Sequence, residues 1–260
     1  MRSMEQMPAG VPPLVRRLRE AAREELVGLL AVEVAALDAA SALAALANPH
    51  LDAEGVALLG ARPDLVAVYQ VKRAVALHPR APEVLARRLM PSLHWPDLLV
   101  AGLDTRLRPT VRRAADRTLA DRLPGMALGE KVSLARRAGL GLIHHLRDDP
   151  QPRVMAALLD NPRLTEGALL PVLARERTPP SVLDTVAADR RWGVRYPVRV
   201  ALARNPSTPV ATALRTLPLL KRPDLAAVAR DARIPAPVRR RADLLGGGGR
   251  GVRAGRPPGA

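Results

Sequence analysis

The sequence contains no cysteine. That excludes disulfides, thiolate nucleophiles, Cys-ligated zinc and iron–sulfur clusters. Phenylalanine is also missing, and there are only two Trp and two Tyr in 260 residues. The hydrophobic fraction of 48% therefore rests mainly on Ala, Leu and Val. Such side chains fill close helix-on-helix packing and do not suit an aromatic ligand pocket. Ala and Leu favour helix, and alternating runs of β-branched residues are lacking. The expected fold class is all-α. No apolar run reaches the length of a membrane span. Charges interrupt the stretch "MRSMEQMPAGVPPLVRRLREAAREE" every few positions, so it has no signal-peptide core. The expectation is a soluble, cytoplasmic protein. No P-loop, dinucleotide fingerprint or Gly-x-Ser-x-Gly elbow occurs. "GLGL" at 139–142 has no strand before it and no Lys-Ser/Thr after it, so it is not a phosphate loop. The acidic residues are scattered and recur with the repeat described below. This is the pattern of turns, not of a paired acid and base. No cofactor, catalytic residue or small-molecule substrate is expected.

Lysine is scarce too: Lys72, Lys131 and Lys221 are the only three among 41 basic residues. The formal net charge is +16 and it is uneven. Residues 1–60 carry 5 basic and 8 acidic groups, whereas residues 201–260 carry 12 and 3. Such a gradient favours an anionic partner. Heavy Arg, Ala, Pro and Gly use is also what a GC-rich coding sequence produces, so charge alone does not decide the function.

What is present is a repeated unit. "VRVALARNPSTP" at 198–209 matches "VKRAVALHPRAP" from Val71 and "VMAALLDNPRLT" from Val154. A weaker copy surrounds Pro49, and the spacing leaves room for one more near Pro124. In each copy the apolar residues at i, i+4 and i+7 share one helix face. Asn205, Asn161 or His78 precedes Pro, where helical geometry is disfavoured, so the helix stops. Thr208 or Thr165 is placed to cap the next helix, and Pro209 or Pro82 fits its first turn. A second punctuation, "RPDLVAV" at 62, "WPDLLVA" at 95 and "RPDLAAV" at 222, opens helices with Pro and an acid. Fifteen residues after Pro96, Pro179 and Pro223 come Val111-Arg112, Val194-Arg195 and Val238-Arg239. Periods of this size signify a solenoid or array.

Helix pairs of about 40 residues, with Asp in the turn and Val-Arg opening the second helix, resemble HEAT-like repeats. The "NPxTP" element resembles the leucine-rich repeat variant type of bacterial α-solenoid. The resemblance covers roughly residues 41–245 and implies an α-solenoid of about five helix pairs. Residues 1–40 are then a helical N-terminal cap, and residues 246–260 a disordered Gly/Arg-rich tail. One departure is clear. Leucine-rich repeat variant proteins can carry a cysteine-bound iron–sulfur segment, and this chain has no cysteine to hold one.

The arginines are the most informative candidates. Lys72, Arg112, Arg153, Arg195 and Arg239 open second helices and would line up along a stacked array. Asp104, Asp148, Asp189 and Asp231 lie in the turns, so a structural ladder of Asp104–Arg112, Asp148–Arg153, Asp189–Arg195 and Asp231–Arg239 is expected. Arg73, Arg113, Arg199, Arg204, Arg240 and Arg241 have no such partner in sequence. They are the candidate binding residues for phosphates. His144-His145 points two imidazoles about 100° apart on a helix, with no third ligand nearby, so a partly buried inter-helix position is expected rather than a metal site. "HWPDL" at 94–98 invites comparison with a HEAT-like DNA glycosylase family that uses aromatic residues and an Asp. Arg62 and Arg222 fill the Trp95 slot in the other copies, so Trp95 reads as a packing residue. Trp192 and Tyr196 are read as packing between repeats, with nucleobase stacking as the alternative. The leading functional expectation is a non-enzymatic protein–protein interaction scaffold. The alternatives are nucleic-acid binding through the basic C-terminal half, and a glycosylase-like enzyme.

Overall fold

The computed structural model describes residues 13–33 and 36–247. Among them the regular structure is helical and no strand occurs. The chain divides after Asp121 into two compact units. The first contains α1 (Pro13–Glu20), α2 (Arg23–Glu33), α3 (Ala39–Leu46), α4 (Ala53–Ala61) and α5 (Pro63–Ala67). It continues with α6 (Tyr69–Ala76), α7 (Glu83–Leu89), α8 (Trp95–Leu103) and α9 (Pro109–Arg122). The second contains α10 (Leu128–Arg137), α11 (Leu140–Leu146), α12 (Pro152–Leu159), α13 (Glu166–Leu173) and α14 (Pro180–Ala188). It ends with α15 (Tyr196–Arg204), α16 (Val210–Thr216), α17 (Arg222–Arg230) and α18 (Ala236–Gly247). Gly246 and Gly247 close α18, and the remainder of the expected tail lies outside the described residues.

Short helices need tertiary partners, because nucleation is costly and few turns repay it. Here the partners are near in sequence. In the first unit α1 packs on α3, α3 on α6, and α6 on α7. In the second α10 packs on α12, α12 on α14, and α13 on α15, so alternate helices lie side by side. The core between them is Leu, Val and Ala. On α12, for example, Val154, Met155, Ala157, Leu158 and Leu159 are all buried. Trp192 is the largest fully buried side chain. Its indole N–H donates to the carbonyl of Leu159, 3.0 Å away, which removes the cost of burying that donor.

The helix boundaries follow the punctuation, with one exchange of roles. Thr165 caps α13 by accepting from the Ala168 N–H at 3.2 Å. Thr208 does not cap α16. Its hydroxyl donates back to the Leu202 carbonyl at 2.7 Å, and Thr178 does the same to Val172 at 2.6 Å. Both are buried, so each satisfies a carbonyl at the end of the preceding helix, and proline takes the cap position instead. Pro124 is not a further Asn-Pro copy. It lies in a 3-10 turn, Leu123–Gly125, that matches Met90–Ser92 and Leu217–Leu219, each with Pro second.

The recurrence is stricter than a motif. Residues 69–116 align without a gap on 196–243, and 20 of the 48 positions are identical. The elements keep the same offset of 127: α7 Glu83–Leu89 corresponds to α16 Val210–Thr216, and α8 Trp95–Leu103 to α17 Arg222–Arg230. Each unit therefore carries one copy of the same four-helix segment.

Candidate interaction surface

Three recurrent contacts hold the helices at fixed separations, and they determine which side chains remain for other work. The first belongs to the asparagine before proline. Asn161 is fully buried, and its amide donates to the carbonyls of Ala135 at 2.8 Å and Ala138 at 3.0 Å. Its Oδ1 accepts from the Arg163 N–H at 2.8 Å. Asn48 binds Leu18, Ala21 and His50 in the same way, and Asn205 binds Leu173, Arg175 and Ser207. One side chain thus stops its own helix and clips the carbonyl end of a helix more than twenty residues earlier. At the fourth site His78 keeps only the local half of this arrangement, accepting from the Arg80 N–H at 3.1 Å. The clip to the preceding turn comes instead from Arg80, which donates to the carbonyls of Pro49 and Leu51.

The second contact joins a tyrosine to an aspartate 28 residues on. Tyr69 donates to Asp97 at 2.5 Å and accepts from the His94 N–H at 2.9 Å. Tyr196 donates to Asp224 and accepts from the Lys221 N–H at 3.1 Å. Burial and the Asp97 carboxylate raise the Tyr69 pKa above its ordinary value. Burial opposes ionisation of Asp97, but Tyr69 and Arg73 outweigh it and its pKa falls. The trio in "HWPDL" is thereby divided. His94 stacks on Tyr69 with ring centroids 4.0 Å apart, and the Asp97 carboxylate is committed to Tyr69 and Arg73.

The third contact is ionic, and it corrects the expected ladder. Asp104 pairs with Arg106 at 2.8 Å, not with Arg112, and Asp231 pairs with Arg233 at 2.7 Å, not with Arg239. In each turn the aspartate also accepts from the backbone N–H two residues on, and this local loop sets the partner. Hydrogen bonds from Arg233 bring the Asp231 pKa down to about 2. Asp148 pairs with Arg175 at 2.6 Å, and Arg153 is exposed. Asp189 accepts from the Arg191 and Trp192 N–H groups, while Arg195 pairs with Glu166 at 2.6 Å. The guanidinium of Arg195 also lies 4.5 Å from the Trp192 ring centroid, so Trp192 serves packing and its buried face is closed to base stacking. The Nε atoms of Arg112 and Arg239, which occupy equivalent positions, are buried without a hydrogen-bond partner.

The candidate binding arginines separate into two sets. Arg73 pairs with Asp97 at 2.5 Å, and Arg199 donates to the Gly193 carbonyl at 3.2 Å, so both have internal work. Arg113, Arg204, Arg240 and Arg241 are exposed and form no ion pair among the described residues. Arg113 lies in a groove of about 750 Å³ between α7 and α9, together with Arg87, Arg88 and Arg117, which sequence reasoning passed over. The missed signal is the four-residue spacing of Arg113 and Arg117, which puts both on one face of α9. His144 and His145 are both exposed on α11, not partly buried, and no group of three or more metal-type ligands occurs among the described residues. No described helix is long and apolar enough to cross a membrane. No known protein family, curated protein or solved structure matches the chain.

Proposed function

We propose that the protein is a non-enzymatic scaffold of HEAT-like helix pairs, an α-solenoid whose repeated surface binds another protein in the cytoplasm. The observation that carries this reading is the recurrence of one segment, with its elements and its tyrosine–aspartate tie, at a constant 127-residue offset. Side-by-side packing of alternate helices supports it as well, because stability then comes from neighbour-to-neighbour contacts and leaves the outer positions free to suit a partner. Asp97 and Asp231, whose pKa values are lowered, are engaged in a helix tie and in a turn, which is a structural use of their chemistry.

The test is retrieval of partners from the native lysate with the full chain, followed by hydrogen exchange on the purified complex. Protection that spans at least two successive helix pairs is expected. Failure to retain any specific protein, or protection confined to one small pocket, would overturn the reading.

A further inference from the structure

We infer that the groove between α7 and α9 is a binding site for the phosphates of a nucleic-acid duplex. This adds a partner class to the scaffold reading and does not rest on it. Arg87 and Arg88 reach the groove from α7, and Arg113 and Arg117 from α9. Asp121 is the one acidic residue in its lining. Arg88, Arg113 and Arg117 form no ion pair among the described residues, and Arg87 touches only Glu83 at 3.5 Å. Like charges four residues apart on a helix oppose folding. Arg113 and Arg117 are such a pair, and an anion in the groove relieves that repulsion. Thr110, at the start of α9, also lines the groove.

Comparison of the two copies separates internal from external use of arginine. Four arginines keep their places at the 127-residue offset: Arg88, Arg106, Arg112 and Arg113 recur as Arg215, Arg233, Arg239 and Arg240. Arg106 and Arg233 are explained by their aspartates. Arg113 and Arg240 have no internal ion pair that explains their recurrence. In the second unit α16 packs on α18; Arg240 and the adjacent Arg241 lie on α18, and Arg215 lies on α16, where it also donates to the Thr212 hydroxyl at 2.9 Å. Each unit thus offers arginines from equivalent helices.

The lining indicates which anion fits. None of its nine residues is aromatic, and its only aliphatic members are Val84 and Ala114. A bound peptide would lack the anchoring pocket that concentrates binding energy, and an unstacked base would lack a platform. Guanidinium groups on exposed positions of two helices suit a row of phosphates, read without regard to sequence.

The experiment is fluorescence anisotropy of the full chain with a labelled 20-base-pair DNA duplex across a salt series. The variant Arg113→Glu/Arg117→Glu is compared with Arg136→Glu/Arg137→Glu, which changes the net charge equally at exposed positions on α10. Expected is a Kd raised at least about tenfold in the groove variant, with a log–log salt slope shallower by about two. The α10 variant should stay within about threefold of the parent. Circular dichroism confirms that both are folded, and Arg113→Lys/Arg117→Lys, which keeps the charge, should bind more tightly than the Glu pair. Equal losses in the two Glu variants, or no binding by the parent near physiological salt, would overturn the inference. Displacement of the duplex by a Glu-rich peptide of equal charge at a lower concentration would overturn it too, and would assign the groove to an acidic protein.

Discussion

Replacing Asn161 by alanine should cost the second unit about 3–4 kcal/mol. The side chain is fully buried and makes three hydrogen bonds, two to the carbonyls of Ala135 and Ala138 and one from the Arg163 N–H. Alanine leaves two carbonyls near the end of α10 without that partner, and each buried unsatisfied group costs about 1–3 kcal/mol. The Arg163 N–H is nearer solvent, and water recovers part of its loss. A domain of this size loses roughly 3–5 °C of Tm per kcal/mol, so a drop of about 10–15 °C is expected. The assay is built into the sequence. Trp95 and Trp192 are the only tryptophans, one in each unit. In a Trp95→Phe background, the emission of Trp192 reports the second unit alone. Asn161→Asp sharpens the test because it keeps the size and the acceptor while removing both donors. The introduced carboxylate would face two carbonyl oxygens, so its folded pKa must rise above the unfolded value of about 4. Its cost is then full at neutral pH and is relieved as pH falls through the raised folded pKa, where the protonated group regains one donor. A Tm change below about 3 °C for either variant, or a cost for Asn161→Asp that does not shrink on acidification, would refute the clip as the source of stability.

Gly193→Ala should destabilise the same unit by about 2–3 kcal/mol, because an added Cβ runs into the backbone oxygens of Ala187 and Asp189, the latter at 2.8 Å; a urea midpoint equal to the parent's would contradict this. Asp231 is held at about 2, below its ordinary 3.8, so the stability it adds is present above the ordinary value and lost as pH falls toward 2. Asp231→Asn should therefore flatten the acid limb of the Tm-against-pH curve in that window, and an unchanged limb would remove Asp231 from the account. Trp192→Phe leaves the Leu159 carbonyl without its indole donor and should cost about 1–3 kcal/mol by chemical denaturation, read by circular dichroism.

The all-helical class and most helix starts were legible, because proline, capping residues and apolar spacing act locally on the backbone. Asn161 and Asn205 were legible as helix stops but not as clips, since the carbonyls they bind lie 23–32 residues away. The ladder failed for a related reason. Val-Arg at each helix start suggested a partner in the turn just before it, yet an Asp two residues before an Arg closes a still shorter loop first, as at Asp104–Arg106 and Asp231–Arg233. Proximity in sequence makes that ring cheap to close. Thr208 was misread because a hydroxyl can face either the helix ahead or the helix behind, and only packing decides. The basic groove needed two helices to be brought together, although Arg113 alone was marked by its sequence.

The two copies of the tyrosine–aspartate tie show which part of a contact the fold requires. Both retain the tyrosine hydroxyl, the carboxylate it donates to, and the backbone N–H it accepts from. The surrounding cation differs. In the first copy Arg73 binds Asp97 at 2.5 Å and the His94 ring stacks on the tyrosine. In the second, Val200 stands at the Arg73 position, and Lys221, at the His94 position, lies 5.0 Å from the Tyr196 ring centroid. Positive charge is kept beside each half-buried hydroxyl–carboxylate pair but is delivered from a different residue, which a requirement on field rather than on a particular ion pair would produce. Arg73 therefore belongs to the tie, and its loss should lower stability while leaving duplex binding within about threefold of the parent. Arg73→Val, which copies the second unit, separates the two roles: a Tm decrease that is recovered by adding His94→Lys supports the field argument, and failure of that second substitution to restore any stability would sink it.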